Sequence, residues 1–233
     1  MKIAVISDIH SNLEALTAAL AEIRKRGVDA IYCLGDVVGY GADPGACVDL
    51  VREHCAGCVR GNHDEAVALD RGVARLPYDG QEAALHNREH LTPDQIAYLS
   101  GLPLRIDAAG CTFVHASPEQ PDAWLRLDSA LAAQRQFEHF DAGFCFAGHT
   151  HIPGVLSNRI GVLRVRAGHR FIINPGSVGQ PRDRNPRLSF GILDLDAVAY
   201  EHVRLPYDVE RAAAKIDEAG LPARLSARLR IGL

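Results

Sequence analysis

The chain opens on an apolar run, Lys2–Ser7, that stops at Asp8 and reads as a buried strand. Leu13, Leu16, Ala19, Leu20 and Ile23 then recur at helical spacing. Ser11 or Asn12 can cap that helix; Arg24, Lys25 and Arg26 suit its last turn, and Gly27 its stop. Ala30–Leu34 is a second buried run, so the start reads β-α-β, the signature of a parallel pair joined by a crossover. In such sheets functional groups gather beyond the carboxyl ends of the strands, where Asp8, His10 and Asp36 fall.

Further along, Asp43-Pro44 opens a helix running to about Glu53, and Cys58–Arg60 is a short strand ending in a Gly61-Asn62-His63-Asp64 turn. Residues 69–102 read as helical with breaks, including a start at Thr92-Pro93-Asp94. The texture then changes to short strands: Leu104–Asp107, Cys111–His115, Gly143–Ala147, Val162–Val165, Phe171–Ile173, Leu188–Leu195 and Val198–Leu205. Ala108–Gly110 and Asp194–Ala197 read as hairpin turns, and a helix around Leu127–Phe137 interrupts the series. An amphipathic helical tail closes the chain over Val209–Ala219 and Pro222–Leu229. No repeat, low-complexity segment or linker divides the sequence, so one domain is expected over 1–233, with a helical insert at about 69–102 and a helical tail at about 208–230.

Composition narrows the class. With 47% apolar and 23% charged residues in 233, the chain has ordinary globular content and can bury a substantial core. A net charge of −4 offers no footprint for a nucleic-acid backbone, although bound cations would reverse the sign locally. No apolar run reaches bilayer length and no signal peptide is read at Met1-Lys2. The six cysteines form no regular framework, and Cys55-x-x-Cys58 lacks the partners of a zinc pattern, so a reducing cytoplasm is expected.

The chemistry lies in the residues at the predicted strand ends. Asp8 and His10 are two apart as the chain leaves a strand, and His149 and His151 repeat that relation after Phe144–Ala147. Asp36, Asn62 and His115 add three further groups. Seven candidate ligands exceed one tetrahedral zinc, whereas two ions about 3.5–4 Å apart sharing a carboxylate would use them. Ligation by Asp, His and Asn without thiolate suits manganese, iron, zinc or nickel.

Asp8-x-His10, Gly35-Asp36, Gly61-Asn62-His63-Asp64, His115 and Gly148-His149-Thr150-His151, in this order, resemble the calcineurin-like metallophosphoesterase superfamily. Asn174-Pro-Gly-Ser-Val178 and the compact length resemble its small stand-alone bacterial and archaeal phosphodiesterase branch. The resemblance implies an α/β fold: a four-layer α/β/β/α sandwich of two mixed sheets flanked by helices, with metals at the edge between the sheets. It implies that Asp8, His10, Asp36 and His151 hold one divalent ion, manganese first, and that Asp36, Asn62, His115 and His149 hold the other. His63 would serve as general acid or charge stabiliser while a metal-bridging hydroxide attacks phosphorus in line. The substrate class implied is a small phosphoester, nucleotide-like or aryl, with a homo-oligomer possible; phosphomonoesterase, dinucleoside-polyphosphate hydrolase and non-catalytic scaffold are the rival readings.

One departure matters. Protein phosphatases and symmetrical dinucleoside tetraphosphatases carry Gly-Asp-x-Val-Asp-Arg-Gly, but here Gly39 stands where an Asp would orient His63 and Tyr40 where an Arg would grip phosphate. Arg60, which does resemble those families, Tyr40 and Arg182 are therefore the expected substrate contacts. Arg184 is a further charge on the same loop, and Trp124 could stack on a base, although packing is the expected role for it. His86-x-x-Glu89-His90 matches an inverted zinc-protease signature, but a solvated helix face at the border of the cleft explains it more simply.

Overall fold

The computed structural model describes residues 1–233. Its strands are β1 (Lys2–Ile6), β2 (Ala30–Cys33), β3 (Gly57–Cys58), β4 (Arg105–Ala108), β5 (Cys111–Val114), β6 (Phe144–Ala147), β7 (Gly154–Ser157), β8 (Phe171–Asn174), β9 (Leu188–Asp194) and β10 (Ala199–Leu205). Its helices are α1 (Leu13–Lys25), α2 (Pro44–His54), α3 (Asn62–Leu69), α4 (Tyr78–Glu89), α5 (Pro93–Gly101), α6 (Ala130–Arg135), α7 (Val209–Glu218) and α8 (Ala223–Ile231). None is long and apolar enough to cross a membrane.

The strands form two mixed five-stranded sheets, ordered β10-β9-β1-β2-β3 and β4-β5-β6-β8-β7. β1, β2 and β3 run parallel, as do β5, β6 and β8, while β9 and β10 on one sheet and β4 and β7 on the other run antiparallel to their neighbours. Period-two alternation explains the layering. Ile3 and Val5 pack with Phe113, Phe146, Phe171 and Ile173 in the core between the sheets. Their neighbours Ala4 and Ile6 point the other way, onto Leu16, Ala19 and Ile23 of α1. On the far face of the second sheet, Cys145 and Ile172 meet Phe137 and Phe140. The result is the four-layer α/β/β/α sandwich. The tail helices α7 and α8 pack against Tyr40 and Ala83 through Ile216, Leu225 and Leu229.

Three expected elements are corrected. Val162–Val165 is not a strand: it lies in a loop with Ile160 and Leu163 exposed, and the partner of β8 is Gly154–Ser157. Gly61–Asp64 is not a free turn but the start of α3: Asp64, at the third helical position, accepts the Gly61 N–H at 2.9 Å, as a capping box requires. The strand before it is correspondingly short, Gly57–Cys58 rather than Cys58–Arg60.

Candidate metal centre

The residues just past β1, β2 and β6 turn sharply. Asp8 (φ 54°), His10 (50°), Asp36 (51°), His149 (63°) and His151 (62°) all adopt the left-handed region. Non-glycine residues hold that conformation at a cost of about 1–2 kcal/mol each, so it persists only where surroundings enforce it. Here backbone bonds do so: Asp8 N–H donates to Gly35 O (3.0 Å), His10 N–H to Asp36 O (2.9 Å) and Gly179 N–H to Asp8 O (2.9 Å). The Ser177 hydroxyl adds a bond to Asp8 O at 2.8 Å, so the Asn174–Val178 loop straps the first ligand-bearing turn. The paired residues two apart therefore converge through left-handed turns, not through strand alternation.

Two residues not singled out in sequence hold the Asp36 turn. The Asp64 carboxylate accepts N–H bonds from Asp36 (2.8 Å), Val37 (2.8 Å) and Val38 (3.2 Å), besides that of Gly61. From α4, buried Asn87 accepts Gly39 N–H (2.6 Å) and the Ser11 hydroxyl (2.7 Å) and donates to Gly41 O (3.0 Å). Gly61-Asn62-His63-Asp64 has the composition of a turn, which does not reveal the bracket Asp64 forms, and nothing local marks Asn87.

These turns bring all seven metal-type residues together. Ligand atoms of Asp8, His10, Asp36 and His151 lie within 4.8 Å of one another, as do those of Asp36, His115 and His149, so Asp36 belongs to both groups. Asn62 Oδ1 joins the second at 3.2 Å from His115 Nε2. Asp36 Oδ2 stands 3.3 Å from His115 Nε2 and 3.7 Å from His10 Nε2, and Asp8 Oδ1 is 3.3 Å from His151 Nε2.

The hydrogen bonding behind the cluster fixes which atoms face it. Nδ1 of His10, His115 and His151 each approaches a backbone carbonyl, of Val38 (3.1 Å), Leu34 (2.8 Å) and Gln180 (2.5 Å). A carbonyl only accepts, so in each neutral ring Nδ1 carries the proton and Nε2 is the nitrogen left to present a lone pair inward. His10 and His151 then oppose lone pairs at 3.2 Å. Asp8 Oδ1 and Asp36 Oδ2 are buried without any hydrogen-bond partner. Buried, partnerless carboxylate oxygens beside facing imidazole lone pairs are unfavourable unless a cation satisfies them. The donor set thus fits divalent metal ions of the borderline-to-hard kind.

Electrostatics agree. Burial alone would raise the Asp36 carboxyl, but His115, His63 and His10 hold it well below the usual carboxylate range. Burial alone would lower His115; the Asp36 charge beside it carries it up to about 10, so in the metal-free centre its Nε2 holds a proton that an arriving metal displaces. Burial pushes Asp8 up to about 6, His149 down to about 3, and His10 and His151 well below the ordinary histidine value.

His63 and Tyr40 also reach the cluster. The His63 ring lies 4.9 Å from His10 and 4.4 Å from Tyr40, and Tyr40 4.7 Å from His10. No carboxylate orients His63: its Nδ1 is buried and unpartnered, and the ring rests against Gly39. Arg182 stacks over Tyr40, its Cζ 5.7 Å from the ring centre. Trp124 packs edge-on to His115 at 5.8 Å. Arg60 does not join them. Its guanidinium donates to the carbonyls of Ser100 (2.9 Å) and Leu102 (3.3 Å) beside Glu65, because the C-terminal end of α5 supplies acceptors that a cation satisfies. His86 and His90 stack on each other at 4.0 Å along α4 and belong to neither cluster.

Gly39 gives one prediction. Its φ is +96°, and a Cβ there would lie 2.5 Å from His63 Nδ1. Gly39→Asp, which would restore the protein-phosphatase pattern, is expected to destabilise the fold by about 2 kcal/mol and displace His63. Thermal melts and turnover should both fall; a variant that gains activity would show the ring has room.

The family model for the calcineurin-like phosphoesterase superfamily domain matches residues 1–198, and the chain belongs to this superfamily of metal-dependent phosphoester hydrolases. It is 40% identical to an uncharacterized protein of Methanocaldococcus jannaschii, over 99% of this chain and 98% of that relative. The crystal structure of a metallophosphoesterase from Sphaerobacter thermophilus matches with a TM-score of 0.88 at 38% identity, covering 100% of this chain and 99% of that one. A hypothetical protein from Pyrococcus horikoshii OT3 shares the fold at a TM-score of 0.83 and 20% identity, covering 100% and 98%.

Proposed function

We propose that the chain is a phosphodiesterase acting on a small, nucleotide-like phosphodiester with two divalent ions, manganese before iron, zinc or nickel. Asp8, His10, Asp36 and His151 would hold one ion, and Asp36, Asn62, His115 and His149 the other. When bound, such a pair supplies Lewis-acid charge to phosphoryl oxygens and an acidified water. The observation that carries this reading is the pair of ligand clusters sharing Asp36, with carboxylate oxygens that no protein group satisfies.

The chain's own groups divide the remaining work. Burial pushes His63 down to about 4 against the pull of Asp36, so at neutral pH it is a neutral imidazole. A neutral ring can donate one N–H to a phosphoryl or leaving oxygen, which favours the charge-stabilising role over the general-acid role. Tyr40 holds that ring in place from one side. A monoanionic diester matches a centre in which Tyr40 replaces the phosphate-gripping arginine and Arg60 is engaged elsewhere.

The test is bound-metal stoichiometry together with hydrolysis of bis-p-nitrophenyl phosphate in added manganese, iron, zinc or nickel. Turnover with manganese is expected, and none with any of the four would end the enzyme reading. His63→Ala should keep wild-type metal content while lowering kcat by about 10²–10³. If it emptied the site instead, the roles of His63 and the ligands would need exchanging.

A further inference from the structure

The tail helix α8 brings a second arginine to the edge of the candidate centre. Arg228 lies over the same Tyr40 ring as Arg182, with its Cζ 5.9 Å from the ring centre. Tyr40 is in turn the immediate neighbour of His10 and His63. Neither guanidinium is paired with an Asp or Glu side chain. Arg182 donates Nε (3.1 Å) and Nη2 (2.7 Å) to the amide oxygen of Gln180. Arg228 donates Nε at 2.7 Å to an oxygen of Leu233, the last residue, and both its Nη groups are without a protein acceptor. No Asp or Glu side chain comes within ion-pair distance of either arginine, whereas Arg224 next to them reaches Asp79 at 3.8 Å.

The two segments carrying them are also tied together. Arg184 N–H donates to Gly232 O at 2.8 Å, and Lys215 of α7 reaches both Glu14 (2.5 Å) and Asp43 (3.0 Å). Leu225 and Leu229 of α8 share a buried cluster with Tyr40. Like charges fixed on one aromatic platform repel each other and are stabilised by an anion placed between them. Burial together with Arg182 lowers the Arg228 pKa. One phosphodiester charge at the metal cluster leaves the Arg182 guanidinium and the Arg228 Nη groups free to meet a further anion.

We propose that Arg182 and Arg228, carried on Tyr40, form a subsite for a second phosphoryl group, so that the substrate is a phosphodiester bearing a further phosphate. The proposal rests on the phosphodiesterase reading above and adds to it a substrate class and a specificity-determining residue from the tail helix. Guanidinium donors make charge-assisted, geometrically defined bonds to phosphate, and the free Nη groups of Arg228 supply such a fork.

Two measurements test it separately from that reading. The first compares the p-nitrophenyl esters of thymidine 5′-phosphate with and without a 3′-phosphate on the metal-loaded protein. The 3′-phosphorylated ester should be favoured in kcat/KM by about tenfold, mainly through KM, the size of one charge-assisted contact. Arg228→Gln and Arg182→Gln should each bring that ratio towards one, and Arg228→Lys should keep part of it. A ratio near one in the wild type, or a ratio that both glutamine variants leave intact, overturns the subsite. The second measures inorganic phosphate binding to the metal-free protein by calorimetry, where Arg228→Gln should weaken binding about tenfold. Equal phosphate binding by wild type and both glutamine variants overturns the proposal as well. If neither ester is hydrolysed, the phosphodiesterase reading fails, and the binding measurement still decides the anion subsite.

Discussion

Asp36→Asn is expected to lower kcat/KM for bis-p-nitrophenyl phosphate by at least about 10³-fold and to reduce bound metal at both positions. The reason lies in the two oxygens of this side chain. Oδ1 accepts the His63 N–H at 2.8 Å, which fixes the orientation of the group. Oδ2 has no partner and stands among His115 and His10 Nε2 atoms, shared by both ligand clusters. In asparagine, the oxygen must stay opposite the His63 N–H, so the amide NH2 takes the place of Oδ2. It would then donate to the imidazole lone pairs that should meet metal, and would repel a cation.

In the metal-free fold Asp36 is the counter-charge of buried His115, so the same change also removes that pair and should cost some stability. Thermal melts should show the metal-free variant folded but less stable than wild type, with the metal-induced rise in Tm lost. A metal-free variant that unfolds would make Asp36 a structural residue and sink the shared-ligand assignment.

Asp64→Ala is expected to cost more, destabilising the protein with or without metal by at least about 4 kcal/mol. One carboxylate accepts four backbone N–H groups, those of Asp36, Val37, Val38 and Gly61, in a fully buried setting. Removing it leaves buried donors unpaired, at about 1–3 kcal/mol each, against a total stability of only about 5–15 kcal/mol. Burial, with Asp36 beside it, pushes the Asp64 carboxyl up to about 7 against the pull of the Gly61 and Val38 N–H groups, which favour the ionised form. Chemical denaturation with and without metal is the measurement. A loss below about 1 kcal/mol would mean that Asn87 and the strand ends hold the Asp36 turn unaided. Activity should fall too, because the left-handed Asp36 turn depends on these bonds.

The contrast between these two carboxylates shows what was legible. Asp36 was readable because a buried apolar run delivers it to a strand end and because its residue type matches those at the ends of the other runs. Asp64 was read as part of a turn, since Gly-Asn-His-Asp has turn composition; only its reach back to the Asp36 turn, 28 residues away in sequence, makes it the bracket of that turn. Gly154–Ser157 carries little strand signal, because a glycine start after Pro153 has low strand propensity, whereas the valines of Val162–Val165 favour a strand. Strand identity there was settled by which segment could reach the edge of β8, a contextual choice that propensity does not encode.

By itself, then, the sequence determined the parallel β-α-β start and the chemistry available at its strand ends, because hydrophobic periodicity and residue type are local properties, while the four-layer plan followed only from the family resemblance of its motifs. The tertiary structure decided the rest. Left-handed turns aim both members of each Asp/His or His/His pair at one point, and carbonyls of Val38, Leu34 and Gln180 choose the imidazole nitrogens that face it. Packing of the tail places Arg228 over Tyr40, while α5 draws Arg60 away. These outcomes depend on hydrogen bonds and contacts between residues tens to hundreds of positions apart, and no local pattern carries that information.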